Sequence, residues 1–289
     1  MSASSTEKFK GWTIPGPRVP GPALLESGEL RVEEGESLDA LGGFFRIFQL
    51  SKGHRFSTDD VVVAWYGASA GGRAETVLDL GSGIGSVAQI AAWRLPFARF
   101  VTVEAQEVSF GLAQKSLRFN GLTERFDQRK GDFRDPEVFR GPEEQFDLVL
   151  GSPPYFPLDA GILGDHPQKI ACRFETRGTI WDYTKVARER MNPGAMYAVV
   201  FPIQPAEQEE RVRAAARDHR MVIVRERPVC FREGEPPMLG LFLMMREEDL
   251  PVERLSGFPV KEPELVIRTK EGKVGAEYMA VKLSIGFPP

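Results

Sequence analysis

An α/β fold, with a mostly parallel sheet wrapped by helices, is what this 289-residue sequence predicts. Two observations carry that prediction. From Glu75 onward, short apolar runs of strand length alternate with runs of helical periodicity. The strand-to-helix joints fall at Gly- and Pro-rich turns, where the chain reverses cheaply.

The elements follow in order. The first 22 residues, rich in Pro and Gly, read as a tail or an arm on the surface. The segment GELRVEEGESLDALGGFFRIFQLSKGHRFSTDD suggests short strands or a hairpin. A helix is expected from Thr58, with Asp59 and Asp60 in its first turn and VVVAWYGA as its apolar body. TVLDL is a first buried strand, SVAQIAAWRL a helix and FVTVE a second strand. EVSFGLAQKSLRFNG is a second helix that stops at Asn120-Gly121. FDQRKGD and FDLVL give the third and fourth strands, and the fourth ends in a Pro-Pro break. A loop to about Thr179, a helix, the strand AMYAVVF and the charged helix AEQEERVRAAARDHR come next. MVIVRERPVCF and MLGLFLMMRE are closing strands, and the tail adds a strand or a short lid. The expected division is an N-terminal arm over 1–40 and a catalytic-type domain over 41–289.

Composition narrows the function classes. Hydrophobic residues are 42% and charged residues 27%, an ordinary globular mix that excludes collagen, coiled coil and wholesale disorder. No run approaches the roughly 20 apolar residues of a membrane helix. The start MSASSTEKFKGW has no apolar core of a secretory signal. Cys172 and Cys230 form no CxxC pair, and His54, His166 and His219 are scattered, so no metal site is expected. Reduced thiols and a cytoplasmic location are the expectation. A net charge of −4 argues against a nucleic-acid partner, which usually selects basic proteins.

Two motifs carry chemistry. In Leu78-Asp79-Leu80-Gly81-Ser82-Gly83-Ile84-Gly85, between a strand and a helix, glycines let the backbone approach a bound ligand. Glu104, at the end of the next strand, can accept both hydroxyls of a ribose. Asp79, just before the first glycine, would repel a pyrophosphate placed on the helix N-terminus. It suits S-adenosylmethionine, which carries an ammonium and a sulfonium. DLGSGIG resembles the first motif of class I methyltransferases, and that resemblance implies that Asp132, after the third strand, accepts from the cofactor's adenine amine and that Phe133 covers the ring.

The second motif is Ser152-Pro153-Pro154-Tyr155, directly after the fourth strand. An exocyclic amine is a poor nucleophile because its lone pair is delocalised. Acceptors holding its N–H protons, here Ser152 and the Pro153 carbonyl, pull it toward tetrahedral geometry. The prolines remove competing donors, and Tyr155 offers a face for stacking a base.

These motifs resemble those of class I methyltransferases acting on planar amine or amide nitrogens. That resemblance implies a Rossmann-like, mostly parallel seven-stranded sheet with helices on both faces and S-adenosylmethionine as cofactor. FQLSKGHRFSTDDVVVAWYGA, Cys172-Arg173-Phe174-Glu175 and the closing LVIRTKEGKVGAEY are similar to segments of the bacterial tRNA adenine-N6 methyltransferases. The resemblance covers roughly residues 44–283. It implies Thr58 and Asp59 at the cofactor, with Lys52, Arg55, Arg173, Glu175 and Arg177 toward an RNA substrate, preferably tRNA. Two departures stand out: Ser152 occupies a position where that family usually has Asn, and the first 40 residues have no family counterpart. Any RNA contact on this acidic chain must come from a local basic patch, for which Lys52, His54, Arg55, Arg173 and Arg177 are candidates. Arg211, Arg213, Arg217 and Arg220 read rather as a solvated helix face shared with Glu207, Glu209 and Glu210. A protein glutamine-N5 methyltransferase and a cofactor-binding, non-catalytic subunit with a protein partner remain alternatives, and a nicotinamide dehydrogenase is a distant third.

Overall fold

The computed structural model describes residues 8–156, 168 and 175–289. The N-terminal segment forms two short strands, β1 (Lys8–Phe9) and β2 (Trp12–Thr13), and a helix, α1 (Gly21–Glu26). Gly21 is buried, and a β-carbon there would lie 2.2 Å from the Phe119 ring, so α1 packs closely on the body. A bulged antiparallel hairpin follows, β3 (Glu36–Gly42) with β4 (Phe45–Leu50), as its alternating pattern predicts. The expected division after residue 40 falls inside β3.

Helix α2 (Thr58–Ala70) begins where expected. Ser57 and Asp60 form a reciprocal capping box that satisfies donors of its first turn. Then come β5 (Thr76–Leu80), α3 (Ser86–Arg94), β6 (Arg99–Glu104), α4 (Glu107–Asn120), β7 (Phe126–Lys130) and β8 (Phe146–Gly151). Gly121, at φ +67°, ends α4 in the left-handed conformation that glycine tolerates. Past the loop lie α5 (Ile180–Glu189), β9 (Met191–Pro202), α6 (Ala206–Asp218), β10 (Met221–Cys230) and β11 (Leu239–Arg246). The tail contributes β12 (Val260–Lys261), β13 (Leu265–Val266) and α7 (Ala276–Ser284).

The main sheet runs β12-β10-β11-β9-β8-β5-β6-β7, with β13 also paired to β10. Seven longer strands match the expected count, and the tail adds two of two residues. The pairs among β5, β6, β7, β8 and β9 are parallel, while β11 is antiparallel to both neighbours. Alternation along a strand divides the core. Val77 belongs to one buried apolar cluster with α2, α3 and the hairpin, and Leu78 to a second with α5 and α6. Both faces of the sheet are therefore covered.

The chain passes from β5 outward through β6 to β7, then returns to β8 on the other side of β5. That reversal opens a crevice beyond the carboxyl ends of β5 and β8, where sheets of this kind hold ligands. No helix among the described residues is long and apolar enough to cross a membrane.

Candidate active site

A cleft of about 630 Å³ lies at this reversal. Its first wall is the turn after β5. Gly81 and Gly83 have φ of +60° and +56°, where side-chain-bearing residues are strained. A β-carbon on Gly81 would sit 2.1 Å from the Tyr183 hydroxyl, while one on Gly83 would meet no atom within 4 Å. Gly83 thus presents bare backbone to the cleft, and the Ser82 N–H is anchored on the Val103 carbonyl at 3.0 Å.

The floor is acidic. Glu104, 7% exposed, accepts from the Gly83 N–H at 2.8 Å through Oε2 and from the Gln106 N–H at 2.6 Å through Oε1. Asp79, 1% exposed, accepts from the Ala88 N–H at 3.2 Å in the first turn of α3. Asp60 accepts from the Ser57 N–H at 2.9 Å. Burial raises all three carboxyls above their ordinary range. Asp60 rises to about 7, and Asp79 is pushed up further by the charge of Asp60. A cationic nucleoside fits this arrangement: its charge would offset the repulsion among the carboxylates, and Glu104, already fixed by two backbone N–H groups, retains lone pairs for hydroxyls. S-adenosylmethionine has both properties. Asp79, Gly83 and Glu104 would hold it.

At the far end of the cleft, the Phe133 ring packs edge-on against Tyr183, with centroids 4.5 Å apart. Asp132 also lines the cleft, but its carboxylate is held by Arg134, whose Nε donates at 2.9 Å. The pairing lowers the Asp132 pKa.

Ser152-Pro153-Pro154-Tyr155 leaves β8 along the opposite wall. Tyr155 is clamped. Its hydroxyl donates to Asp59 Oδ2 at 2.7 Å, and its ring meets the edge of Phe201 at 5.9 Å. Its carbonyl accepts from Gln208 at 3.3 Å and from Arg211 at 3.5 Å.

The cleft thus gathers Asp59, Asp79, Gly81, Ser82, Gly83, Glu104, Asp132, Phe133, Ser152, Pro153, Pro154, Tyr155, Arg55 and Arg177 from the expected set. Thr58, Gly85, Lys52 and Glu175 do not line it, and Arg173 lies outside the described residues. Several roles differ from expectation. Asp59 engages Tyr155 because α2 places it opposite the Pro-Pro motif. Gly85 caps α3, and a β-carbon there would meet Gln89 at 3.0 Å and Ala113 at 3.3 Å. Glu175 faces Arg211 and forms an ion pair with it. Thr58 is the first residue of α2.

Asp60 and Tyr183 are cleft residues that sequence reasoning missed. The capping-box spacing from Ser57 to Asp60 was the available signal for the first; none marked the second. Of the expected basic patch, Arg55 meets Asp39 at 3.0 Å. The arginines read as a solvated face are paired: Arg213 meets Glu226 at 2.7 Å, Arg217 meets Glu210 at 2.5 Å and Arg220 meets Glu247 at 3.1 Å. Lys52 is exposed, and Arg177 lines the cleft facing Glu104 and Asp132.

Known proteins place this geometry. A family model described as "Methyltransferase small domain" matches residues 68–161. A tRNA1(Val) (adenine(37)-N6)-methyltransferase of Bacteroides thetaiotaomicron is 29% identical over 201 residues, covering 67% of this chain and 80% of that protein. The protein of the same name from Shewanella amazonensis is 27% identical, covering 71% and 84%. A release factor glutamine methyltransferase of Gloeobacter violaceus is 36% identical, over only 34% of this chain and 32% of its own. Among solved structures, a predicted O-methyltransferase from Agrobacterium tumefaciens superposes with a TM-score of 0.57 at 16% identity, covering 80% of this chain and 98% of that one. TYW2 of Pyrococcus horikoshii, in complex with MeSAdo, superposes with a TM-score of 0.51 at 15% identity, covering 73% and 71%. The chain is a Rossmann-like class I, S-adenosylmethionine-dependent methyltransferase, similar over most of its length to the bacterial tRNA1(Val) (adenine(37)-N6)-methyltransferases.

Proposed function

We propose that this enzyme methylates an exocyclic amine of RNA, with adenine N6 of a cytoplasmic tRNA as preferred target. The observation that carries the reading is the shared cleft: Ser152–Tyr155 and the Gly81–Glu104 cradle form its two walls. S-adenosylmethionine, when bound, supplies a methyl group on a sulfonium. Ser152 and the Pro153 carbonyl would accept the two amine protons and so expose the nitrogen lone pair. Tyr155 would support the base, and Asp132 and Phe133 would receive the cofactor's adenine. Positioning and electrostatics do the catalytic work, with no covalent enzyme intermediate. The names of the full-length relatives support tRNA as the substrate. Residues 41–289 would act as the methyltransferase unit.

The test is transfer of labelled methyl to unmodified tRNA, followed by mass identification of the nucleoside. N6-methyladenosine is expected, and Tyr155→Ala should abolish the label. Equal transfer by that variant would remove Tyr155 from the mechanism. The pairing of arginines near the cleft favours one other reading, methylation of a glutamine amide in a protein. Transfer to a release-factor protein and not to tRNA would establish it. Cofactor binding without transfer to either would point to the non-catalytic reading.

A further inference from the structure

Tyr155 belongs to the motif after β8, yet its hydroxyl is held by another element. It donates to Asp59 Oδ2, in the first turn of α2, at 2.7 Å. A hydroxyl bonded to a carboxylate is among the stronger hydrogen bonds of a protein. A phenol has one proton, and this bond uses it. The hydroxyl therefore has no proton left to donate to a substrate base. What Tyr155 offers the cleft is its ring.

A ring works as a stacking surface when packing and hydrogen bonds hold it in one place. Contacts from three elements do so here. The Tyr155 carbonyl accepts from Gln208 at 3.3 Å and from Arg211 at 3.5 Å, both on α6. Phe201 of β9 stands nearly perpendicular to the ring, at 83°. Those contacts fix the backbone and the flank of the ring, and the bond to Asp59 fixes its far end. Two adjacent carboxylates of α2 thus divide their work. Asp60 turns back to cap the helix with Ser57, and Asp59 meets Tyr155 across the cleft wall.

We propose that Asp59 is a positioning residue for methyl transfer, one that pins the Tyr155 ring as the fixed surface on which the target base stacks. The assignment moves Asp59 from the cofactor, where the resemblance to known methyltransferases puts it, to the substrate wall. It rests on the RNA-amine reading above.

The experiment removes each end of the bond in turn. Asp59→Ala should lower kcat about 10- to 100-fold, the range a hydrogen bond to a charged group supplies. KM for tRNA should move about 2-fold at most, because phosphate contacts dominate the affinity. Asp59→Asn keeps an oxygen that accepts from the hydroxyl, and should recover to within about 5-fold of wild type. Tyr155→Phe keeps the ring and should lose as much as Asp59→Ala, and the double variant should be no worse than the poorer single. Additive losses, or full activity of Tyr155→Phe, overturn the proposal. So does a fall in calorimetric affinity for S-adenosylhomocysteine that matches the loss of turnover in Asp59→Ala, since Asp59 would then be a cofactor ligand. Thermal melting shows which variants are folded. Should Asp59→Ala unfold, recovery in Asp59→Asn beside loss in Tyr155→Phe decides the matter. Nitration of Tyr155 by tetranitromethane, read by peptide mass, probes the bond without substrate. The neighbouring carboxylate suppresses the reactive phenolate, so Asp59→Ala should nitrate about 10-fold faster than wild type. An unchanged rate overturns the pin. A wild-type protein with that protection but no transfer to tRNA overturns the RNA reading alone.

Discussion

The Tyr183 hydroxyl stands where a side chain at position 81 would have to go, 2.1 Å from a β-carbon built on Gly81. Helix α5 thus closes onto the turn after β5, and the two together set the width of the cleft. Gly81→Ala must both strain a left-handed backbone, at about 1–2 kcal/mol, and push Tyr183 aside. It should lower the melting temperature and abolish cofactor binding. Gly83→Ala carries a similar backbone strain without a clash, because its methyl group would enter the open cleft. It should remain folded yet bind S-adenosylmethionine more weakly. Melting curves and calorimetric titration of the two variants separate these outcomes.

Glu175 acts on Tyr155 at one remove, through Arg211. Removing either partner of the ion pair should cost roughly 1–2 kcal/mol, less than the ~3–5 of a fully buried pair, because Arg211 is partly exposed. Glu175→Ala and Arg211→Ala should each lower kcat. The double variant should be no worse than Arg211→Ala, whereas independent roles would give additive losses in urea melts and in turnover.

Asp60 gives the fold a pH signature. Burial raises its carboxyl from 3.8 to about 7, so the native state holds a proton that the unfolded chain has released. Its contribution is complete below pH 4, and is lost as pH rises toward 7. Asp60→Asn keeps an oxygen to accept from the Ser57 N–H and cannot ionise. Relative to this variant, the cofactor-free wild type should therefore lose stability between pH 5 and pH 8. Denaturation at those two pH values measures it; a constant difference would show that Asp60 does not titrate in this window.

Arg177 lines the cleft and is exposed. If it meets an RNA phosphate, Arg177→Ala should reduce the salt dependence of tRNA binding by about one unit of slope and weaken all tRNAs alike. An unchanged slope would remove Arg177 from the RNA surface.

Much of the site was legible because its motifs are local. The Gly81–Gly85 turn, Glu104 and Ser152–Tyr155 each lie at the end of a strand, and the βαβ pattern alone brings those ends together. What sequence could not give are the partnerships formed across the fold. Tyr183 reaches Gly81 only because α5 packs over β5. Arg211 belongs to a helix that reads as a solvated face, and Arg213 and Arg217 behave that way, paired with Glu209 and Glu210 on the same helix. Arg211 leaves that pattern for Glu175, 36 positions earlier in the chain. Asp59 lines the cleft, but its partner Tyr155 lies 96 positions away. The Pro/Gly-rich start gave no periodic signal, since α1 has only six residues and is held by Leu24, Leu25 and the close fit of Gly21 against Phe119.

Trp93 carries a consequence for the whole chain. Gly16, Gly43 and Gly286 all crowd its indole, and the Gly43 N–H donates to the Gly286 carbonyl at 2.6 Å. The early segment, the hairpin and the late tail therefore share one keystone, so that loosening either end slackens the other.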